Sequence, residues 1–269
     1  MSLEHATTIQ VGRATLRVVV RPGDPDRSPL VLCNGIGAPH DALKPFVDAL
    51  DPRVPAIRFD LPGTGASPRL PIPVPFAVLA RLVAELMRQL GYDRFDVLGI
   101  SWGGALAQQI AFQYPRRCRR AVLVATATGV LMIPASPRVL RHMVTPQRYR
   151  DPSYALHVAG NLYGGSVRRN PVVAEELLVG SDRPPSQLGY LFQLCAGLGW
   201  TSLPFLPLIR QRTLILAGTD DPIIPLANAR IMNRLMPHAR LHTYEDGHLA
   251  IATNAHDLAP VVSEFVLAH

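Results

Sequence analysis

The sequence is poor in cysteine and in lysine. Cys33, Cys118 and Cys195 are its 3 cysteines, an odd number without the close spacing of metal ligands. Such a set disfavours a disulfide framework and predicts a reduced, cytoplasmic protein. Lys44 is the single lysine, and the net charge of +7 comes from arginines scattered along the chain. A scattered charge of this kind does not by itself indicate a nucleic-acid partner.

Long apolar runs and a leader pattern are also lacking. No stretch approaches the roughly 18 uncharged apolar residues that a membrane span needs, so no transmembrane segment is predicted. Residues 1–11 carry Glu4 and His5 and no apolar run, which predicts that there is no signal peptide. Charged residues make up 17% and hydrophobic residues 48% of the chain, and this balance is typical of a globular protein with a sizeable core.

One basic cluster interrupts the scattered charge, formed by the arginines at positions 116, 117, 119 and 120. An anionic surface or a polyanion could bind to it. A solvated loop between a helix and a strand accounts for it as well and is the commoner situation. We therefore expect no nucleic acid among the partners of this protein.

Short buried strands alternate with helical patterns along most of the chain. The predicted strands are a hairpin of residues 7–11 and 15–20, followed by residues 30–33, 54–59, 95–100, 121–125, 213–217 and 240–244. The predicted helices are residues 76–90, 105–114, 227–236 and 258–267. This alternation predicts an α/β fold, with a mostly parallel central sheet and helices on both faces.

Residues 129–210 break this alternation. They show no strand pattern, prolines divide them into short pieces, and they are rich in apolar and aromatic side chains. A structureless loop of that length is unusual in a compact domain. We therefore predict a core domain of residues 1–128 and 211–269, with residues 129–210 inserted as a helical cap, or lid. Its methionine and aromatic side chains are expected to line an acyl channel, although most of them would also be accounted for as the lid's own core.

The segment GISWG at residues 99–103 has the G-x-S-x-G pattern of a nucleophile elbow. The pattern alone is common, but here an apolar strand precedes it and a helix of small residues follows it. Such a sharp turn holds the nucleophile in a strained backbone conformation, which the flanking glycines make possible. Ser101 is therefore the predicted nucleophile.

A serine hydroxyl needs a base to take its proton, and in this pattern an acid and then a histidine follow the serine along the chain. Asp221 lies in the turn after strand 213–217 and has D-x-x-x-P spacing to Pro225, so we prefer it as the acid. The alternative, Asp220, would brace the turn. His248 lies in a D-G-H segment between the last strand and the last helix, and it is the predicted general base.

Backbone N–H groups must bind the oxyanion in such a site. The predicted donors are two backbone N–H groups. One belongs to Trp102, which follows the nucleophile, and the other to Ile36, in the N-G-I-G loop at residues 34–37. Both residues are also predicted to contact the substrate, and the Trp102 side chain is expected beside the acyl pocket. The loop lacks the patterns of a P-loop or a dinucleotide site, so no nucleotide is predicted. Neither a metal nor another cofactor is required.

The chain resembles the intracellular depolymerases of medium-chain-length poly(3-hydroxyalkanoate), a branch of the α/β-hydrolase superfamily. The resemblance spans nearly the whole chain and includes residues 34–38, 99–109, 216–226 and 246–249. The motifs YGG at residues 163–165 and AGLGWTS at residues 196–202 are more particular to this branch. The resemblance implies an α/β-hydrolase fold, a Ser101–Asp221–His248 triad, and an aliphatic polyester of 3-hydroxyacids as substrate.

The residues alone leave other functions open. A general carboxylesterase or lipase acting on lipophilic monomeric esters would use the same triad, and so would a 3-hydroxyacyl transferase. A non-catalytic receptor of the same fold is the remaining alternative. A dehalogenase is disfavoured because it would have a carboxylate in place of Ser101. The preferred acyl length, exo or endo cleavage, association with polymer granules and oligomeric state are not determined by the sequence.

Overall fold

The computed structural model of this protein describes residues 4–144, 146–178 and 186–268. Its strands are β1 (His5–Val11), β2 (Ala14–Arg21), β3 (Leu30–Cys33), β4 (Ala56–Phe59), β5 (Phe95–Ile100), β6 (Cys118–Val124), β7 (Arg212–Gly218) and β8 (Ala239–Tyr244). Its α-helices are α1 (Lys44–Ala49), α2 (Phe76–Gln89), α3 (Trp102–Gln113), α4 (Pro137–Met143), α5 (Pro152–Tyr163), α6 (Gly165–Arg169), α7 (Pro171–Leu178), α8 (Gln187–Gly197), α9 (Leu226–Leu235), α10 (Ala250–Thr253) and α11 (Ala255–Leu267).

The strands form one sheet in the order β1-β2-β4-β3-β5-β6-β7-β8. Strand β2 is antiparallel to both of its neighbours, and all other neighbouring pairs are parallel. The predicted α/β fold with a mostly parallel sheet is therefore confirmed. Because parallel strands end at the same edge of a sheet, the loops that follow β3, β5, β7 and β8 meet there. Each of these loops carries predicted site residues.

Alternate side chains along the strands enter two separate cores. In β3, Val31 and Cys33 pack with α2, α3 and α9, whereas Leu30 and Leu32 pack with α1 and α11 on the opposite face. All four side chains are at most 1% exposed. A strand buried on both faces has an uninterrupted apolar sequence, which is why these strands could be recognised as short apolar runs.

The basic cluster is largely occupied by contacts within the fold. Arg117 donates hydrogen bonds to main-chain carbonyls in and just after α2. Arg119 and Arg120 both donate to the carbonyl of Val266 near the end of α11. Arg119 also pairs with the buried carboxylate of Asp96 in β5. Positive charge is favourable at helix C-termini, so these three arginines stabilise the ends of α2 and α11.

Helices α4 to α8 lie between β6 and β7. The described residues of this inserted segment contain no strand, apart from an isolated bridge between Gly129 and Thr201. That bridge brings the beginning and the end of the segment together. Residues 145 and 179–185, which belong to the predicted cap, lie outside the described residues. No helix in the described part of the chain is long and apolar enough to cross a membrane.

Candidate active site

Ser101 occupies the sharp turn between β5 and α3. Its backbone has φ 53° and ψ −119°, a conformation that residues with a side chain rarely adopt. A side chain at position 99 would collide with the carbonyl of Gly103, and one at position 103 with the carbonyl of Cys33. The hydroxyl of Thr126 donates to the carbonyl of Ser101 at 2.7 Å. The turn is thus held in its strained form by close packing and by this hydrogen bond.

The loops after β7 and β8 bring Asp221 and His248 together. His248 Nδ1 lies 2.8 Å from Asp221 Oδ2, and both side chains are at most 5% exposed. The other carboxylate oxygen of Asp221 accepts the N–H groups of Ile223 and Ile224, each at 2.9 Å. These contacts fix the carboxylate and leave Oδ2 directed at the imidazole. A histidine held through Nδ1 keeps Nε2 for proton transfer.

The neighbouring acid, Asp220, contacts a different part of the molecule. One oxygen of its carboxylate accepts the N–H of Gly165 at 2.7 Å, and the other accepts from Arg168 at 2.8 Å. Both partners belong to α6 in the inserted segment. The structure therefore places Asp221 at the histidine and Asp220 at the inserted segment.

The loop at residues 34–37 passes close to Ser101. A Cβ built on Gly35 would lie 3.8 Å from the Cβ of Ser101, so Ile36 is adjacent to the nucleophile. The Asn34 side chain shapes the loop, because it accepts from the Gly35 N–H at 2.9 Å and donates to the Pro39 carbonyl at 2.5 Å. Backbone approach of this kind is what an oxyanion site requires.

Trp102 is the first residue of α3, so its N–H belongs to the positive end of that helix. Its indole turns toward the inserted segment: Nε1 donates to the carbonyl of Gln193 at 2.9 Å, and the ring lies 4.6 Å from that of Phe76. The side chain is not among those that line the cavity described next. The expected acyl contact of the Trp102 side chain therefore has no counterpart in the lining.

A cavity of about 1040 Å³ opens over Ser101 and His248. Its lining near these residues includes Ile36, Met143, Tyr163 and Leu249. Met143 and Tyr163 come from the inserted segment. The lining also includes the polar side chains of His40, Arg58 and Asp60. The volume covers the whole of this lining, which also reaches β1 and β2 at Thr8 and Arg17.

Asp246, two residues before His248, was not among the predicted site residues. Its carboxylate accepts the N–H and the hydroxyl of Ser166 at 2.5 and 2.9 Å and the hydroxyl of Thr253 at 2.9 Å. The N–H of His248 in turn donates to the carbonyl of Tyr163 at 2.8 Å. The histidine loop is thus bonded to the inserted segment at the YGG motif. The only signals in the sequence were the YGG motif itself and the D-G-H segment, which lie about 80 residues apart along the chain.

The pKa of Asp246 reflects these contacts. Burial alone would raise the pKa, but hydrogen bonds from Ser166, Gly247 and Thr253 stabilise the carboxylate and hold the pKa below its ordinary value. A lowered pKa in the folded state means that the stabilisation is complete above the unfolded value of about 3.9. It is lost as the pH falls through the lower folded value.

Asp246→Asn should therefore destabilise the protein at neutral pH, by about 2 kcal/mol, because an amide has a single acceptor oxygen for the four donor groups that the carboxylate accepts. The difference from wild type should shrink as the pH falls from about 4, where the carboxyl of the unfolded chain takes up a proton, and it should be lost below the lower pKa of the folded state. Urea unfolding at a series of pH values measures both effects. Glu245→Gln, at the exposed adjacent acid, is the matched control and should change little. Equal stability of Asp246→Asn and wild type at neutral pH would contradict this role.

Comparisons with known proteins identify the family of this chain. The family described as alpha/beta hydrolase fold matches residues 28–255. The poly(3-hydroxyalkanoate) depolymerase of Ectopseudomonas oleovorans is 45% identical over 259 residues, which cover 96% of this chain and 91% of that protein. A 2-hydroxy-6-oxo-6-phenylhexa-2,4-dienoate hydrolase of Comamonas testosteroni is 27% identical over 70% of this chain and 68% of its own length.

Two solved structures are similar over nearly their full lengths. A hydrolase from Pseudomonas aeruginosa PA01 has a TM-score of 0.82 and 23% identity, with 98% of each chain covered. The enol-lactonase from Burkholderia xenovorans LB400 has a TM-score of 0.80 and 23% identity, covering 97% of this chain and 100% of that chain. At this identity the two structures bear on the fold alone. The chain belongs to the α/β-hydrolase family and, by its similarity to the Ectopseudomonas enzyme, to the branch that includes this depolymerase.

Proposed function

We propose that this protein hydrolyses the ester bonds of aliphatic poly(3-hydroxyalkanoates) with medium-length side chains. The observation that carries the proposal is the 45% identity, over 96% of this chain, to a relative named poly(3-hydroxyalkanoate) depolymerase. As an α/β-hydrolase with such a relative, the protein is an ester hydrolase. The cavity over Ser101, with both apolar and polar lining, is consistent with a chain of apolar side groups joined by esters.

In the proposed mechanism, Ser101 Oγ attacks the ester carbonyl while His248 Nε2 takes its proton. The 2.8 Å hydrogen bond between Asp221 and His248 supports this assignment, because it orients the ring and stabilises the imidazolium. The N–H groups of Ile36 and Trp102 bind the oxyanion. His248 then protonates the departing alkoxide, and water releases the acyl group by the reverse relay. This sequence of steps requires no metal or organic cofactor.

The cap is part of the proposal. We assign residues 129–210 as a lid inserted into a core of residues 1–128 and 211–269. The bridge between Gly129 and Thr201, which closes the base of the segment, supports this division. Met143 and Tyr163 support the acyl-channel role, because both line the cavity together with Ser101. Burial of apolar side groups against such residues would favour longer acyl chains.

We assign the reaction to the cytoplasm and to the surface of polymer granules. The free cysteines Cys33, Cys118 and Cys195 fit a reducing compartment. An insoluble polyester can be attacked only at its surface, which requires the enzyme to associate with the granule. Fractionation of polymer-accumulating cells tests this location, and absence of the protein from the granule fraction would contradict it.

The acyl-length dependence tests the substrate class. From p-nitrophenyl acetate to the octanoate, kcat/KM should rise, because each CH₂ that is fully buried contributes about 0.8 kcal/mol, or roughly fourfold. Partial burial makes the slope smaller. Steady-state kinetics on the ester series measures it, with Ser101→Ala as the control for background hydrolysis. A maximum at the acetate would contradict a site built for medium-length side chains.

A further inference from the structure

Gln193 is a buried glutamine of helix α8 whose side chain contacts the core. The residue is 4% exposed although it lies in the inserted segment. Its Oε1 accepts the N–H of Gly37 at 2.7 Å, and its Nε2 donates to the hydroxyl of Thr64 at 2.6 Å. Both ends of the amide are therefore hydrogen-bonded to loops of the core domain. A buried amide that is hydrogen-bonded at both its oxygen and its nitrogen fixes the groups that it contacts.

The main chain of the same residue contacts the other side of the site. The carbonyl of Gln193 accepts the indole N–H of Trp102 at 2.9 Å. Gly37 directly follows Ile36, and Trp102 directly follows Ser101. One residue of the inserted segment is thus hydrogen-bonded to both segments that carry the proposed oxyanion donors.

Close packing limits the movement of this part of α8. Gly189, one turn before Gln193, lies so close to Gly63 that a side chain at position 189 would collide with the Gly63 carbonyl. Helix α8 therefore rests directly on the loop that carries Thr64. This contact holds the backbone around Gln193 in place. The Gln193 side chain therefore forms its hydrogen bonds from a fixed position.

We propose that Gln193 is a positioning residue of the oxyanion hole, an inference that rests on the proposed ester hydrolysis through Ser101. The loop at residues 34–37 contains two glycines, and Gly37 has a positive φ of 73°, so its own sequence leaves it flexible. Asn34 stabilises the loop by a hydrogen bond with its own Gly35. Gln193 connects the loop to α3, because its side chain accepts from Gly37 and its carbonyl accepts from the Trp102 indole. Oxyanion donors are effective only when they are held in place before the charge develops.

The consequence is that the cap is a component of the catalytic site rather than a cover alone. Displacement of an oxyanion donor by about 1 Å can lower the rate roughly a hundredfold. Opening of the cap at α8 would release Gly37 and the Trp102 indole together. We therefore infer that the enzyme is competent only while α8 is seated on the core.

The test compares two buried glutamines that both connect the inserted segment to the core. Gln193→Met removes both amide hydrogen bonds at similar side-chain volume, whereas Gln193→Glu keeps an acceptor for the Gly37 N–H. Gln109 is the matched control: it is 8% exposed, its Oε1 accepts the indole N–H of Trp200 at 2.9 Å, and its Nε2 donates to Gln113 at 3.1 Å.

On p-nitrophenyl octanoate, Gln193→Met should lower kcat by about 10- to 100-fold with KM changed less than about threefold, because oxyanion contacts act on the transition state. Gln193→Glu should recover part of this loss. Gln109→Met should keep kcat within about threefold of wild type. Thermal unfolding of each variant separates loss of stability from loss of positioning.

An alkylboronic acid gives a second readout. The lone pair of Ser101 Oγ adds to boron, the hydroxyl proton passes to His248, and the resulting anionic adduct resembles the tetrahedral intermediate. Its inhibition constant should rise in Gln193→Met by about the same factor as kcat falls, since both depend on the oxyanion donors. Binding of octanol, a neutral ligand without an oxyanion, should be unchanged.

The proposal is overturned if folded Gln193→Met keeps kcat within about threefold of wild type, or if Gln109→Met loses as much. Should Gln193→Met not fold, Thr64→Val carries the test, since it frees the amide end that Thr64 holds. An unchanged kcat in Thr64→Val then overturns the proposal. Failure of the proposed function has a separate signature: wild type would not hydrolyse the ester, or Ser101→Ala would hydrolyse it equally well.

Discussion

Ser101→Ala should lower kcat for p-nitrophenyl octanoate by about 10³- to 10⁶-fold. Alanine cannot form the acyl-enzyme, and the residual rate comes from substrate binding and oxyanion contacts alone. His248→Ala should cause a loss of similar size, because without a base the serine hydroxyl stays protonated. The double variant should be little worse than either single one, since the two residues act as a unit. Steady-state kinetics on purified variants measures all three.

The contrary result is equally clear. A loss of less than about tenfold in Ser101→Ala would mean that another group performs the nucleophilic attack. Full additivity in the double variant would mean that Ser101 and His248 act in separate steps. Because Ser101 is the turn residue between β5 and α3, the thermal stability of each variant is the necessary control.

Asp221→Asn should lower kcat by about 10⁴-fold, whereas Asp220→Asn should lower it by less than about tenfold. An asparagine at position 221 can donate to His248 Nδ1, which places the proton on Nε2 and removes the base from the reaction. Asp220 contacts Gly165 and Arg168 instead, so its loss should affect mainly the stability of the inserted segment. The two substitutions are matched in chemistry and adjacent in sequence. The opposite ranking would mean that Asp220 is the catalytic acid.

Most of the sheet could be predicted because its strands are recognisable from local apolar runs. All eight predicted strands are present, but β6 begins at Cys118 rather than at residue 121. The first residues of β6 include the charged Arg119 and Arg120, so the apolar pattern of the strand begins only after them. These arginines are accommodated by Asp96 and by the end of α11, which lie 23 and 146 residues away along the chain. Such distant partners cannot be inferred from a local pattern.

In the candidate site, too, residues in local motifs could be predicted from the sequence, whereas contacts between distant residues could not. Ser101, Asp221 and His248 each lie in a short motif at the end of a strand, so the sequence alone could select them. Gln193 could not be selected, because Gly37 is 156 residues away and only the fold brings them together. Its one signal in the sequence is a polar residue within the apolar run LFQLCAG.

The direction of the Trp102 side chain was also beyond the sequence. Its position beside the nucleophile suggested a place in the acyl pocket, but a neighbour in sequence does not fix which way a side chain points. At the start of α3 the indole donates to the Gln193 carbonyl in α8 and packs against Phe76 of α2. The ring therefore connects α3 to α8 of the inserted segment, and the cavity lining comes from other residues.

The most direct test of a polyester depolymerase acting through Ser101 uses the polymer itself. An amorphous suspension of medium-chain-length poly(3-hydroxyalkanoate) is incubated with wild type and with Ser101→Ala, and soluble 3-hydroxyacids are measured by mass spectrometry. Wild type should release these acids steadily, and Ser101→Ala should release none above background. Brisk hydrolysis of p-nitrophenyl esters by wild type, with no acid released from the polymer, would contradict the depolymerase function and leave a general esterase.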